Sequence, residues 1–212
     1  MSGKQMTESL LRWRLNGLPQ PALLCSQGEE AALLAGRLLT RGRRPLRVER
    51  AGDIWQAEAA PDPGLPEDLN ERLEALQKVR SPLTVSRAYL DDLMAALSAR
   101  ESRDGCHGAL IAWKDQRAWG RDIGRHNALD KAVGLAAAQG WEPGCAVLCT
   151  TGRLSLELLL KAAAVGIPVL CTGKHVGTLC VRQAEMLGIA VYQAGATPAV
   201  YGANWRIKEE QP

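Results

Sequence analysis

From residue 108 to residue 193 the sequence alternates short apolar runs with amphipathic ones, and that rhythm constrains the fold more than any other feature. Residues 108–113 and 117–121 read as a hairpin around Lys114-Asp115-Gln116. Residues 127–139 then have helical spacing, and 145–150 form an apolar run of strand length. A helix (155–165), a strand (168–171), a helix (177–187) and a strand (189–193) complete the series. Strands and helices in that order predict a parallel or mixed sheet covered by helices on both faces. One more helix, residues 86–98, precedes the hairpin with Leu90, Leu93, Met94 and Leu97 on one side. The expected class is α/β, a three-layer α/β/α arrangement with a mixed sheet.

The first sixty residues read differently, as a small N-terminal α+β subdomain. Residues 10–15 alternate as a strand would, and Asn16-Gly17 is a strong turn signal. Residues 29–40 form a helical run with Ala32, Leu33, Ala35, Gly36 and Leu39 able to share a face. Arg41, Arg43 and Arg44 close it with positive charge, which suits a helix C-terminus. Residues 47–58 return as one or two strands. Three prolines and a glycine in 60–66 mark a linker or long loop, and 67–79 a charged helix. The expected division is 1–60 (subdomain), 61–86 (linker and helix) and 87–212 (main domain).

Composition narrows the function. A 46% hydrophobic content supports a buried core although Phe is absent. A net charge of +3 does not argue for nucleic acid. No apolar run reaches the roughly 18 residues of a membrane helix, and residues 1–8 lack a signal-peptide core, so the chain reads as cytoplasmic. Among the six cysteines no CxxC occurs, so zinc is not expected and reduced thiols are.

Ligands of such sheets collect beyond the carboxyl ends of the strands. Two loops fall there. One is Thr150-Thr151-Gly152-Arg153, the other Thr172-Gly173-Lys174-His175-Val176-Gly177-Thr178. Each joins hydroxyls, glycine, a cation and a helix N-terminus, a combination that suits phosphate. The same residues also make ordinary strand–helix turns, with Thr as cap and Gly for freedom. A third stretch, Gly120-Arg121-Asp122-Ile123-Gly124-Arg125-His126-Asn127, gathers titratable side chains. Asn127 suits a helix N-cap and Asp130 the first helical turn, whereas Asp122 reads either as half of a solvated ion pair or as part of a site. Cys106-His107 precedes the hairpin, where the histidine can favour a thiolate. The plainer reading is a half-buried cysteine beside an unrelated histidine. Cys145, Cys149 and Cys180 read as core, Cys171 as the more exposed thiol, and Cys25 has no clear place.

These segments resemble one known family. Gly120-Arg-Asp-Ile-Gly-Arg-His-Asn-Ala-Leu-Asp-Lys-Ala-Val-Gly134 is similar to the signature of FdhD/NarQ proteins. Thr151-Gly-Arg-Leu-Ser-Leu-Glu157 with Gly166-Ile-Pro-Val-Leu170, and Thr178-Leu-Cys-Val181 with Gly188-Ile189, resemble its later blocks, and His107 matches a histidine before the hairpin. The resemblance implies a cytidine-deaminase-like fold and a homodimer. It also implies a role in sulfur delivery, from a cysteine desulfurase to the molybdenum bis-guanine-dinucleotide cofactor of formate dehydrogenase or a similar molybdoenzyme. GDP is then the expected mimic of the cofactor. Family members usually carry the sulfur on a CxxC ahead of the His107 motif, yet residues 65–104 hold no cysteine. This chain is thus expected to be a divergent member.

The site residues expected on this basis are Asp122, Arg125, His126, Thr151, Gly152, Arg153, Lys174 and Thr178 for the cofactor. Cys106 and His107 are the candidates for sulfur chemistry. The leading expectation is an accessory protein that binds the cofactor and assists its sulfuration. Two others stand beside it: a non-enzymatic cofactor carrier or scaffold, and a nucleotide-binding regulator on the same fold.

Overall fold

Asn16 and Gly17 turn the chain as their types require, both with positive φ, 49° and 81°, the geometry of a two-residue hairpin. In the computed structural model, which describes residues 7–100 and 105–209, the elements up to that turn are β1 (Glu8–Leu11) and β2 (Trp13–Leu15). After it come β3 (Leu18–Pro19), β4 (Leu23–Ser26), α1 (Glu30–Leu39), β5 (Pro45–Ala51) and β6 (Ile54–Ala59). Residues 1–6, most of the polar start, lie outside the described residues.

The strand expected over residues 10–15 is two strands. β1 pairs with β4, which the sequence did not announce, and β2 pairs with β3 and β6. The ladder changes partner at Arg12, whose carbonyl accepts the Trp55 N–H. β5 and β6 form the antiparallel return. Leu11, Trp13, Cys25, Leu33, Leu34 and Leu38 pack together between α1 and these strands.

The chain continues through α2 (Leu69–Ala75), β7 (Val85–Ser86) and α3 (Arg87–Ala99). The helix expected over 67–79 is therefore short. Beyond it the Val79 N–H donates to the Leu187 carbonyl at 2.8 Å. The buried Arg206 guanidinium collects the carbonyls of Val79, Ser81, Leu83 and Gly188. Backbone groups satisfied by tertiary partners have no need of helical ones.

The main domain comprises β8 (His107–Trp113), β9 (Gln116–Asp122), α4 (Arg125–Ala138), β10 (Ala146–Thr150), α5 (Leu156–Val165), β11 (Val169–Thr172), α6 (Thr178–Met186), β12 (Ala190–Gln193), β13 (Ala199–Gly202) and β14 (Ile207–Lys208). Six of these strands form one sheet in the order β13-β12-β11-β10-β8-β9. β10, β11 and β12 run parallel, and β8, β9 and β13 pair antiparallel to their neighbours. α4, α5 and α6 cover one face, through Leu129, Leu158, Leu159 and Ala184 against Ile111, Leu148 and Leu170. α3 covers the other through Leu90, Leu93 and Leu97. The expected three layers and mixed sheet are present. No helix among the described residues is long and apolar enough to cross a membrane.

α1 lies directly on α4. A Cβ placed on Gly36 would stand 1.7 Å from the Asp130 carbonyl oxygen, and one on Gly134 2.0 Å from that of Ala32. Only glycines allow the two backbones this approach. The contact fixes the N-terminal elements against the helix that opens the candidate site.

Candidate functional site

The site begins at the N-terminus of α4. The helix starts at Arg125, two residues before the expected Asn127 cap, and Gly124 occupies the cap position. The cause is Asp122, fully buried at the end of β9. Its Oδ1 accepts the Gly124 N–H and the Asn127 Nδ2, each at 3.1 Å. Its Oδ2 accepts the Ser26 N–H and hydroxyl at 3.1 Å and faces Lys131 Nζ at 2.9 Å. With five donors on one shielded carboxylate, Asp122 holds the helix start in place and is not itself presented to a ligand. Asp130, expected in the first turn, lies in the second and points inward. There it pairs with Lys161 Nζ at 2.7 Å and accepts the Thr40 hydroxyl at 2.8 Å.

β10 and β11 are neighbours, so their following loops meet. Leu154 donates its N–H to the His175 carbonyl at 3.1 Å, and Gly177 returns one to Leu154 at 2.8 Å. Thr150 and Thr172, not singled out as site residues in the sequence, lock the pair. The Thr150 hydroxyl accepts the Gly152 N–H at 3.0 Å, and the Thr172 hydroxyl donates to the Gly152 carbonyl at 2.8 Å. Thr151 is spent on the β8 strand, its hydroxyl accepting the Gly108 N–H at 2.9 Å. Gly152 is where the first loop meets α4, since a Cβ there would lie 3.0 Å from the Cβ of Arg125.

Three helices thus open at the carboxyl end of the sheet: α4 after Gly124, α5 after Ser155, and α6 after Gly177. None of the three has a side chain bonded to its first N–H groups. Their unpaired, positively polarised N–H groups make this end of the sheet receptive to anions. Around them Arg125 Nε, His126 Nδ1 and Ser155 Oγ are buried atoms without a hydrogen-bond partner. Buried polar groups are ordinarily satisfied, so three orphans at two adjoining helix starts mark a place where a polar ligand fits. Arg153, Lys174 and Thr178 are exposed beside them. His126 faces Glu157 at 3.6 Å. Burial lowers its pKa from the ordinary 6.5, with Glu157 opposing that shift and Lys161 and Arg125 adding to it.

The thiols sort differently from expectation. Cys171, expected to be the more exposed, is buried beside Cys149 in the α3 face of the sheet, and burial together with Cys149 pushes its pKa well up. Strand pairing on both sides of β11 encloses it, which its position at the end of the run did not reveal. Cys145 is half-buried in a 3-10 turn and not part of the β10 core. Cys25 is a core residue of β4. Burial raises Cys180 to about 12. Cys106 lines a cavity of about 360 Å³ together with His107. His107 stands opposite Asp122 in the β8–β9 ladder, so cavity and helix starts share one end of the sheet.

With this geometry in view, comparison with known proteins is specific. The model of the FdhD/NarQ family matches residues 64–208. A protein of Streptomyces avermitilis named sulfur carrier protein FdhD is 30% identical, the match covering 95% of this chain and 88% of that one. One of Bordetella petrii, with the same name, is 29% identical over 90% of this chain and 68% of its own length. One of Thermoplasma volcanium is 36% identical, over 49% of this chain and 38% of its own. A crystal structure described as a putative formate dehydrogenase accessory protein, from Desulfotalea psychrophila, superposes with a TM-score of 0.82 at 20% identity, covering 95% of this chain and 90% of that one. The similarity carries through the sheet, the helix starts and the loops between them, and the chain belongs to the FdhD/NarQ family.

Proposed function

We propose that this protein is a formate dehydrogenase accessory factor that binds the guanine-dinucleotide cofactor of molybdenum enzymes by its diphosphate. The observation that carries this is the set of orphaned buried atoms, Arg125 Nε, His126 Nδ1 and Ser155 Oγ, beside uncapped helix starts. A diphosphate supplies acceptors to the Arg125 Nε–H and the Ser155 hydroxyl and negative charge to the helix ends. Arg153 and Lys174, exposed on the two joined loops, add charge at the rim. The cofactor is cargo in this reading. The chain's own residues bind and orient it for a molybdoenzyme. A homodimer and delivery of sulfur by a cysteine desulfurase belong to the same reading. So does a cytidine-deaminase-like fold of the sheet and its helices.

Titration calorimetry with GDP tests it. Arg153→Ala is expected to weaken binding by about 1.5–3 kcal/mol, the worth of a hydrogen bond to a charged group. Arg153→Lys should recover part of that, because Lys lacks the planar fork. Arg44→Ala, exposed on the N-terminal part, should leave binding unchanged. A folded Arg125→Ala/Arg153→Ala double variant that binds GDP like the parent would defeat the proposal.

A second reading, a carrier without sulfur chemistry, draws on the lack of any cysteine between residues 65 and 104.

A further inference from the structure

His126 and Glu157 face each other across two helix starts, each the second residue of its helix, α4 and α5. His126 Nε2 stands 3.6 Å from Glu157 Oε2. That is too far for a hydrogen bond and close enough for the two charges to matter to each other. The carboxylate draws the single proton of a neutral imidazole to Nε2. Nδ1 is then a bare acceptor, and it is one of the buried atoms left without a hydrogen-bond partner. A second proton on this ring finds no acceptor within the fold.

The surrounding charges hold the ring near its point of balance. From α4, Arg125 disfavours a charged imidazole and Asp130 favours it. From α5, Lys161 disfavours it and Glu157 favours it. Asp130 and Lys161 pair at 2.7 Å, so their effects on the ring largely cancel. α1 packs on α4, and its Arg37 feels the charges of Glu157 and Asp130. Burial, the largest influence, tips the ring of the empty protein to its neutral form at neutral pH. Glu157 is then a negative charge beside the uncapped starts of α4 and α5. A phosphate arriving there meets a like charge that a proton on His126 offsets.

We propose that nucleotide binding at this site is coupled to the uptake of one proton by His126, which Glu157 holds in place. The inference rests on the reading that these helix starts bind a diphosphate, and it adds how that binding is regulated. The proton comes from solvent, and no covalent bond of the ligand changes. With Nε2–H toward Glu157, the new Nδ1–H has a phosphate oxygen as its acceptor. The ligand-bound ring therefore keeps its proton to higher pH than the empty one. Affinity is greatest below the pKa of the bound ring and falls as pH rises through it. Glu157 acts through His126 and is a positioning residue.

The test is GDP calorimetry on the full chain at about pH 6 and about pH 8.5, either side of the ordinary histidine pKa. Buffers of different ionisation enthalpy count the protons taken up, and NMR titrates the His126 ring with and without GDP. The phosphate of GDP gains its own proton on acidification in every variant, so comparison with the parent isolates the ring. At the lower pH His126→Gln should bind GDP about tenfold more weakly than the parent, the counterpart of a pKa change of about one. At the upper pH the two should nearly coincide. Glu157→Gln should bind at least as tightly as the parent at the upper pH, where a like charge has gone, and gain less on acidification; a merely structural Glu157 would weaken binding at both. GDP binding by the parent without proton uptake, or uptake that persists in His126→Gln, refutes this inference and leaves the nucleotide reading standing. So does a His126 ring that titrates alike with and without GDP, a measurement on the parent that needs no variant to fold. A parent that binds GDP at neither pH overturns both.

Discussion

Replacing Gly152 by alanine tests the joint between the first loop and α4. A Cβ at Gly152 would stand 3.0 Å from Arg125 Cβ, 3.1 Å from Arg125 Cδ and 3.4 Å from the Thr150 hydroxyl. No backbone atom is among these nearest neighbours, and Gly152 does not need the left-handed region. The nearest of them, Arg125 Cβ, is carried by the α4 backbone, so the loop or the start of α4 must shift by a few tenths of an ångström to take the methyl. Such overpacking should cost about 1–3 kcal/mol. Arg125 is also the residue whose buried Nε awaits a partner. Displacing it should forfeit about 1.5 kcal/mol of charge-assisted bonding to a phosphate, near tenfold in Kd. The control is Gly173→Ala in the sister loop, where the nearest atom is Met94 Cε at 3.7 Å, an ordinary contact. Urea melts and GDP calorimetry on both variants give the comparison. The reasoning fails if Gly152→Ala keeps parental affinity, or if Gly173→Ala loses as much.

Lys161→Met should destabilise the chain by about 3–5 kcal/mol, because it strands the buried Asp130 carboxylate with only the Thr40 hydroxyl; a urea midpoint close to the parent's would contradict this. Burial lowers the His126 pKa, so below its ordinary 6.5 the unfolded chain takes up a proton that the folded chain resists. Stability from this group is intact above that pH and declines as pH falls further, and thermal melts of His126→Gln should show a shallower decline than the parent. Light scattering at micromolar concentration should give twice the chain mass, through an interface of about 800 Å² per partner, and a monomer across that range would refute the dimer.

Much of the main domain is written in local pattern. The alternation of apolar runs with helical spacing fixes the order of β8 to β12, because period and length are properties of neighbouring residues. The positions of the Gly152 and Lys174 loops follow from that order, and so does their meeting once β10 and β11 are adjacent. Asn16-Gly17 announces its turn for the same reason. What required the tertiary structure is whatever depends on partners far along the chain. Asp122 holds the α4 start because Ser26, 96 residues away, reaches it, and that bond moves the helix cap from Asn127 to Gly124. Residues 76–79 leave the helical path because Arg206 and Leu187 claim their surroundings. Cys171 is buried by strands on both sides, and Cys106 lines a cavity because Glu29, Arg100 and Trp119 converge on it. Periodicity reports which face of an element is apolar; long-range closure alone decides which charges are buried in pairs and which thiol faces open space.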